Sequence, residues 1–396
     1  KQKTAYEIGV RLVGSEMCIR DRSIPIAIAI AILLLIVTIS YRQTIYAYPN
    51  GGGAYIVARE NLGQTAALVA GAALLTDYIL TVAVSVSSGV AQIVSAFPDL
   101  SPFRVYIAVG VIAFVTLVNL RGVRESGSVF AIPTFAFLVV MVITLGVGFY
   151  RWATGTLGVV TGVEMLQETA APITLFLILR AFSSGSTALT GIEAISNGIT
   201  AFKEPKSRNA AVTLMAMSGI LITLFLGITF LSRHIQAIPS HEETVISQMA
   251  RTIFGEGSIL YILVIAGTAL ILLMAANTSY AGFPRLAALQ AADGYLPRQL
   301  TYRGGRLVFS WGIVTLALAA SVLVIVMRAS TTALIPLYAI GVFLSFTLSQ
   351  AGMAIHAYRS GQLKPGEKIQ RHESSLEYDS NWRTHMLISG VGAVAT

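Results

Sequence analysis

Long apolar runs, separated by short polar segments, follow one another along almost the whole chain from residue 23 onward. A run of about 20 apolar residues is long enough to cross a bilayer as a helix. The pattern predicts nine spans and the start of a tenth near residue 384: 24–41, 66–96, 104–120, 129–149, 171–201, 210–232, 258–284, 307–327 and 332–357. We therefore predict an all-α polytopic membrane protein with about ten transmembrane helices.

The composition agrees with a membrane protein and excludes a soluble enzyme. Charged residues make up 12% of the 396 residues, and the mean hydropathy is +0.73, whereas soluble domains carry about 25% charged residues. The net charge of +8 lies in short loops between apolar runs, so it predicts no nucleic-acid binding. Cys18 is the single cysteine, which leaves no intrachain disulfide or thiolate metal site.

Lysine and arginine are concentrated in one set of alternating loops. That set carries Arg42, Arg59, Arg121, Arg124, Lys203, Lys206, Arg208, Arg285, Arg298, Arg303, Arg306, Arg359, Lys364, Lys368, Arg371 and Arg383. The other set carries only Arg104, Arg151, Arg233, Arg251 and Arg328. Because cytoplasmic loops are enriched in basic residues, the first set is predicted to be cytoplasmic.

Residues 1–22 differ from the rest of the chain. They show neither helical nor strand periodicity, and the stretch VRLVGSEMCIRDR resembles a translated sequencing adapter. We expect 1–22 to be a non-native segment, with a short basic cytoplasmic tail as the alternative, and exclude it from fold reasoning. Residues 23–396 then form one transmembrane transporter domain, which we expect to be truncated at both ends.

The second apolar run carries an acid. Asp77, Thr81 and Ser85 are spaced i, i+4, i+8, so they share one face of a helix, and Tyr78 flanks that face. A charge at membrane depth costs at least about 2.5–3.5 kcal/mol, which predicts that Asp77 faces a protein interior or a wet cavity. The alternative is a structural aspartate satisfied by neighbouring donors.

The run at 171–201 is too long for one straight span. Its middle, Ser183 to Gly191, is rich in small hydroxylated residues and glycine, which predicts an unwound break whose free carbonyls bind ions or substrate. A tight helix crossing at small residues is the alternative. Secondary candidates near the break are Ser184, Ser186, Glu193 and Arg180, with Arg180 as a gate or ion-pair residue and Glu193 as a titrating or structural acid.

Three further segments bear on the site. Tyr338 lies in mid-span between Pro336 and Gly341, where it either completes an oxygen cage or bonds to a backbone carbonyl. The glycine-rich loop 48–61 lacks the GK[ST] of a phosphate-binding loop. The outer segment 236–257 is polar and contains a helical stretch that we expect to lie over the pore.

Several motifs resemble a known superfamily. ALTGIEAISNGITAFKEPKSRNA, AGFPRLAALQAADGYLPRQL and YPNGGGAYIVARENLG resemble segments of the amino acid–polyamine–organocation (APC) superfamily. LLTDYILTVAVSVSSG, SSGSTALTGIEAISNG and LIPLYAIGVFLSFTLSQ look like its KUP-type potassium uptake transporters, in particular the KimA-like potassium–proton symporters. The resemblance implies an inverted-repeat (LeuT/APC-type) transporter fold in the bacterial plasma membrane. It also implies that the family's first and twelfth spans and its cytoplasmic C-terminal domain are missing here.

The same resemblance implies a set of potassium ligands: Asp77, Tyr78, Thr81, Thr190 and Tyr338, with Asp77, Thr190 and Tyr338 at its centre. It further implies a homodimer, proton coupling, and inhibition by cyclic di-AMP through the missing C-terminal domain. No cofactor is expected beside the transported potassium ion and proton.

The residue types suit a dehydrated monovalent cation. Potassium needs a shell of oxygens in place of its water, and one carboxylate with hydroxyls and freed carbonyls supplies such a shell. Burial favours the protonated acid and a bound cation favours the charged acid, so one acid responds to both ions. We predict proton-coupled potassium uptake by alternating access. An APC-type amino-acid permease is the main alternative, and a non-transporting membrane receptor is a weaker one. The chain has no HExxH or GxSxG motif, so no enzyme is predicted.

Overall fold

The computed structural model describes residues 23–51, 53–122, 127–162, 174–238, 240, 243–304, 309–371 and 374–396. Residues 1–22, and with them the prediction of a non-native segment, lie outside the described residues. The helices are α1 (Ser23–Ala47), α2 (Gly53–Asn61), α3 (Gln64–Ala96), α4 (Arg104–Leu120), α5 (Gly127–Ala153), α6 (Leu175–Gly185), α7 (Ile192–Asn197), α8 (Lys206–His234), α9 (Val245–Phe254), α10 (Ile259–Ala292), α11 (Ser310–Val326), α12 (Thr331–Ser360) and α13 (Trp382–Ala395). The two short strands are β1 (Lys368–Gln370) and β2 (Ser375–Glu377).

The predicted spans correspond to helices of this bundle. In the described part of the chain, seven helices are long and apolar enough to cross a membrane: α1, α3, α4 with the 3₁₀ turn before it, α5, α8, α10 and α12. The shorter α11, the interrupted pair α6–α7 and α13 take the places of the other three predicted spans. The bundle therefore agrees with the expected ten-segment arrangement.

Two helices continue past the ends predicted from hydropathy. α1 extends to Ala47 instead of residue 41, and α10 extends to Ala292 instead of residue 284. α10 passes through Pro284, which is buried and packs closely on Gly312 of α11. Hydropathy marks the apolar slab, and a helix that continues into the polar zone carries no hydropathy signal at its end.

Two elements on the predicted cytoplasmic side were not predicted from the sequence. The glycine-rich loop contains α2, and most of its residues are buried. Further along, β1 and β2 pair antiparallel with Ile369 opposite Leu376. Glycines and short strands give weak local signals, so packing against the ends of the spans determines these elements.

The predicted break in the long fifth segment is confirmed. α6 ends at Gly185, a 3₁₀ turn covers Ser186–Leu189, and Thr190 is extended with ψ 150°. Gly191 follows in the left-handed region with φ +92°, and α7 starts at Ile192. The break begins later than predicted, because Ser183 and Ser184 still belong to the last turn of α6.

Polar pairs cross the apolar core and fix the helix positions. Thr38 Oγ1 donates to Ser218 Oγ at 2.8 Å and joins α1 to α8. Asn119 Nδ2 donates to Asn277 Oδ1 at 2.7 Å and joins α4 to α10. Hydrogen bonds of this kind help to hold helices together in lipid. The outer helix predicted in 236–257 is confirmed as α9, and Thr244 at its start binds Gln92 of α3 at 2.9 Å.

Gly191 is the position where the break needs glycine. A Cβ added there would meet open space within 4 Å, so the cost of Gly191→Ala comes from its positive φ alone, about 1–2 kcal/mol. We expect a lower thermal unfolding midpoint in detergent. The matched control is Gly219→Ala in α8, also in open space, where a helical alanine should stabilise by about 0.5–1 kcal/mol. Equal midpoints for the two variants would contradict the strained turn.

Candidate functional site

Helices α3 and α12 approach closely where the predicted ligands lie. A Cβ added to Gly341 of α12 would lie 3.5 Å from the backbone nitrogen of Asp77 and 3.5 Å from the carbonyl oxygen of Ala73. Three residues before Gly341, the Tyr338 hydroxyl accepts a hydrogen bond from Thr81 Oγ1 at 3.1 Å. The small side of α12 thus brings Tyr338 next to the acid-bearing face of α3.

Asp77 is half-buried on α3, and one of its carboxyl oxygens lacks a donor. Its Oδ1 is fully buried and accepts no hydrogen bond from the part of the chain that the structure describes. A buried carboxyl oxygen without a donor is costly unless it carries a proton or meets a cation. A purely structural aspartate would need a hydrogen-bond donor for this oxygen, and the described neighbours provide none.

The break lies against the same cluster of oxygens. Thr190 Oγ1 donates to the carbonyl oxygen of Thr187 at 2.9 Å, and the turn Ser186–Leu189 just before it packs against α12, the helix that carries Tyr338. Tyr338 is 6% exposed, so its hydroxyl needs hydrogen-bond partners. The structure therefore brings together Asp77, Thr81, Thr190 and Tyr338 from three elements, and we call these four residues the oxygen cluster.

Tyr78 lies beside the oxygen cluster and bonds on the α7 side. Its hydroxyl accepts from Asn197 Nδ2 at 3.1 Å. Its ring packs so closely on α10 that a Cβ at Gly282 would lie 2.6 Å from the ring carbons. Tyr78 also lines a cavity of about 350 Å³ on the predicted cytoplasmic side, together with Gly51, Gly53, Asn197 and Arg285. Tyr78 therefore links the oxygen cluster to this cavity.

Glu193, at the start of α7, is buried and joins three elements. Its carboxylate accepts hydrogen bonds from Ser345 Oγ of α12, at 3.0 and 3.3 Å, and from the backbone nitrogen of Ala54 of α2, at 3.3 Å. Glu193 is thus bonded to a neighbouring span, and its role as a titrating or a structural acid stays a prediction. These hydrogen bonds hold the second half of the broken helix against α2 and α12.

The other secondary candidates have simpler surroundings. Ser186 is buried, and its hydroxyl donates to the carbonyl oxygen of Phe182 at 2.7 Å. The Ser184 carbonyl oxygen accepts from Thr187 Oγ1 at 2.6 Å. Ser85 is buried on α3, one turn beyond Thr81. Arg180 is half-buried on α6, before the break. The Ser186 hydroxyl and the Ser184 carbonyl thus find partners within the same segment, and Arg180 makes no contact with the oxygen cluster among the described hydrogen bonds and ion pairs.

Three further residues near the site were not predicted from the sequence: Tyr41, Asn197 and Ser345. Tyr41 is 1% exposed on α1 and lies near enough to Asp77 and Glu193 to interact with their charges. Its ring meets Phe346 edge to face at 5.6 Å. A tyrosine inside an apolar run was the available signal. Asn197 and Ser345 gave none, because only the tertiary fold brings them to Tyr78 and Glu193.

Two side chains of α2 bind Asp293, the residue that follows α10, on the predicted cytoplasmic side. Tyr55 Oη donates to Asp293 Oδ2 at 2.6 Å, and Arg59 forms an ion pair with the same oxygen at 3.0 Å. Burial and the hydrogen bond to Asp293 raise the pKa of Tyr55 to about 12. The Tyr55 hydroxyl therefore keeps its proton, and its hydrogen bond, at physiological pH.

All the possible ligands in the oxygen cluster are oxygens. Among the described residues, no group of three or more histidine, cysteine, aspartate and glutamate side chains could hold a metal ion. The oxygen cluster offers one carboxyl and three hydroxyls, which are hard neutral or singly charged ligands.

A bundle of long apolar helices around an interrupted helix, with a partly unsatisfied acid beside the break, is the architecture of an APC-type transporter. The family model described as "Amino acid permease" matches residues 21–395, so the chain belongs to the amino acid permease family. It is a multi-pass protein of the bacterial plasma membrane.

Two known transport proteins are similar to large parts of the chain. The chain is 50% identical over 333 residues to the potassium transporter KimA of Bacillus subtilis (strain 168). This alignment covers 84% of the chain and 55% of the relative. The chain is 22% identical over 265 residues to the low-affinity putrescine importer PlaP of Escherichia coli (strain K12), and that alignment covers 66% of the chain and 57% of the relative. The chain thus spans a little over half the length of each.

Gly282 tests whether close packing sets the position of Tyr78. Gly282→Ala places a methyl group inside the Tyr78 ring contact, and we expect a loss of about 1–3 kcal/mol from overpacking. Thermal unfolding of the purified protein in detergent measures it. Gly267→Ala in the same helix is the control, because its nearest atom would be 3.7 Å away. In a Tyr78→Ala background the Gly282→Ala cost should vanish; an undiminished cost would contradict the packing argument.

Proposed function

We propose that this chain is the membrane domain of a secondary transporter that takes up potassium with protons by alternating access. The potassium transporter among its relatives supports the substrate. The observation that carries the proposal is the buried Asp77 Oδ1, which has no hydrogen-bond donor among the described residues and lies beside the hydroxyls of the oxygen cluster. A dehydrated cation is the partner that this oxygen lacks.

The oxygen cluster suits potassium for two reasons. A weakly hydrated monovalent cation needs several oxygens and little charge, and Asp77 contributes the single charge while Thr81, Thr190 and Tyr338 contribute neutral oxygens. The extended backbone at Thr190 and the left-handed Gly191 interrupt the helical hydrogen bonds. Carbonyl oxygens freed at such a break add ligands in transporters.

Proton coupling involves the same acid. In low-dielectric surroundings an empty site favours protonated Asp77, and a bound cation favours the carboxylate. A single group for which the two ions compete would exchange them across the membrane. Uptake of both ions in one direction therefore needs a second proton-binding group, and the buried Glu193 is the candidate in this proposal.

The cavity lined by Tyr78 and Asn197 supplies a path toward the cytoplasm in this proposal. Its volume of about 350 Å³ is ample for a hydrated ion. The Asn197–Tyr78 hydrogen bond is part of the wall of this cavity, and Tyr78 directly follows Asp77 in the chain. Its opening and closing is therefore our candidate for the inner gate.

The family resemblance also implies a protein partner and a regulatory ligand. We propose a homodimer in the membrane, and inhibition by cyclic di-AMP acting through a cytoplasmic C-terminal domain. We propose neither a resident cofactor nor catalytic turnover.

Asp77 is tested by Asp77→Asn, expressed from the complete open reading frame in a bacterial strain deficient in potassium uptake. The amide keeps the shape and removes the charge, so we expect uptake to fall at least about tenfold, since a hydrogen bond or contact to a charged group is worth roughly 1.5–3 kcal/mol. Asp99→Asn, at an exposed site in the turn before α4, is the matched control. Near-normal uptake by Asp77→Asn would refute the proposed role.

The second candidate substrate is an amino acid or a polyamine, because of the family and the putrescine importer among the relatives. Substrate competition distinguishes it from potassium. Excess rubidium should inhibit uptake because it fits the same oxygens, whereas amino acids and putrescine should not. Inhibition by an amino acid or putrescine with no effect of rubidium would favour the permease.

Thr190 is tested by Thr190→Val, which removes one hydroxyl and keeps the side-chain shape. We expect apparent potassium affinity to weaken roughly three- to tenfold, from a loss of about 0.5–1.5 kcal/mol, with maximal uptake less affected. Thr213→Val, exposed on α8, is the control. Unchanged affinity in Thr190→Val would remove Thr190 from the ligands.

A further inference from the structure

A second, more polar cavity lies away from the oxygen cluster. It has a volume of about 560 Å³ and lies between the ends of α1 and α12, strand β2 and the start of α13. The side chains that give it its character are Arg42, Gln43, His356 and His385, together with the acids Glu377 and Asp379. All these elements end on the predicted cytoplasmic side.

Two buried polar atoms in the wall of this cavity have no partner. His356 is 8% exposed, and its Nδ1 makes no hydrogen bond to any described residue. Gln43 Nε2 is likewise buried and makes none within the described ranges. Buried polar atoms in native proteins are almost always bonded to protein, water or ligand. Two such atoms in one cavity indicate that the cavity is built to hold something polar.

The unused groups of the cavity are donors. Its acids are engaged: Glu377 forms an ion pair with Lys368, and Asp379 Oδ2 lies 2.5 Å from His385 Nδ1. Asp379 Oδ1 also accepts from the backbone nitrogen of Asn381 at 2.8 Å. Arg42 is exposed and has no ion-pair partner in the part of the chain that is described. The guanidinium and the Gln43 amide can therefore serve an anion.

We propose that this cavity binds an organic anion that carries a phosphate group. Arg42 holds the phosphate oxygens at the mouth, and the Gln43 amide and the His356 ring complete their hydrogen bonds inside. A volume of about 560 Å³ is within the range of small-molecule sites, roughly 300–1,000 Å³, and exceeds what a bare inorganic ion fills. The rings of Tyr46 and Tyr378, 51% and 38% exposed, flank the organic part.

The phosphate has two sources with the same chemistry. Basic pockets between the cytoplasmic ends of spans bind lipid phosphate head groups, and a soluble phosphate ester offers the same oxygens without acyl chains. Phosphate binding here is independent of the ion that the oxygen cluster is proposed to bind, since the two sites share no residue.

The test uses the full-length protein purified in detergent. Glycerol 3-phosphate is titrated by calorimetry, with inorganic phosphate alongside. Native mass spectrometry after exchange into phosphatidylglycerol or phosphatidylcholine nanodiscs tests the lipid. Binding of glycerol 3-phosphate identifies a soluble ester as the source, and selective retention of phosphatidylglycerol identifies the lipid head group.

Three variants locate the binding. Arg42→Ala and Gln43→Leu should each weaken it at least about tenfold, because charge-assisted hydrogen bonds to phosphate are lost. Arg208→Ala, an exposed arginine at the start of α8, is the matched control and should bind as the parent does. Thermal midpoints without ligand show that the variants are folded. The proposal is overturned if no probe binds, or if Arg42→Ala and Gln43→Leu bind as well as the parent.

Discussion

The absence of water inside the bilayer is the constraint on which this structure depends. Every polar group in a span must find its partner within the protein, and most described ones do, as Thr38 does in Ser218 and Asn119 in Asn277. Asp77 Oδ1 is an exception among the described residues. An exception at this depth costs free energy, and this one occurs next to Thr81, Tyr338 and the break at Thr190, where we propose the ion site.

The break also connects the core to the predicted cytoplasmic surface. α7 has only six residues, too few to be stable by itself, so its neighbours hold it in place. Glu193 accepts bonds from α2 and α12, and Asn197 bonds to Tyr78 of α3. Glycines 51 and 53 let the loop approach Asn197 closely. A shift of α7 would therefore move the α2 loop, the Tyr78 hydroxyl and the break together, as the proposed alternating access needs.

The two tyrosines near Asp77, Tyr78 and Tyr338, have different hydrogen-bond partners. Tyr338 bonds to Thr81 and so belongs to the oxygen cluster, whereas Tyr78 bonds to Asn197 and faces the cavity near Arg285. In the proposed transporter one hydroxyl contributes to ion binding and the other marks the exit. Neither role depends on tyrosine chemistry alone; each follows from what the packing of Gly341 and Gly282 allows.

The sequence by itself determined the number of spans, the class of protein, the acid on α3 and the break near Thr190, because apolar length, burial cost and glycine geometry are local properties. It did not determine α2, the β hairpin or the partners of Tyr78 and Glu193. Those depend on residues far apart in the chain, such as Asn197, Ser345 and Ala54. Only tertiary packing brings them together, since periodicity states which face is polar and not which neighbour it meets.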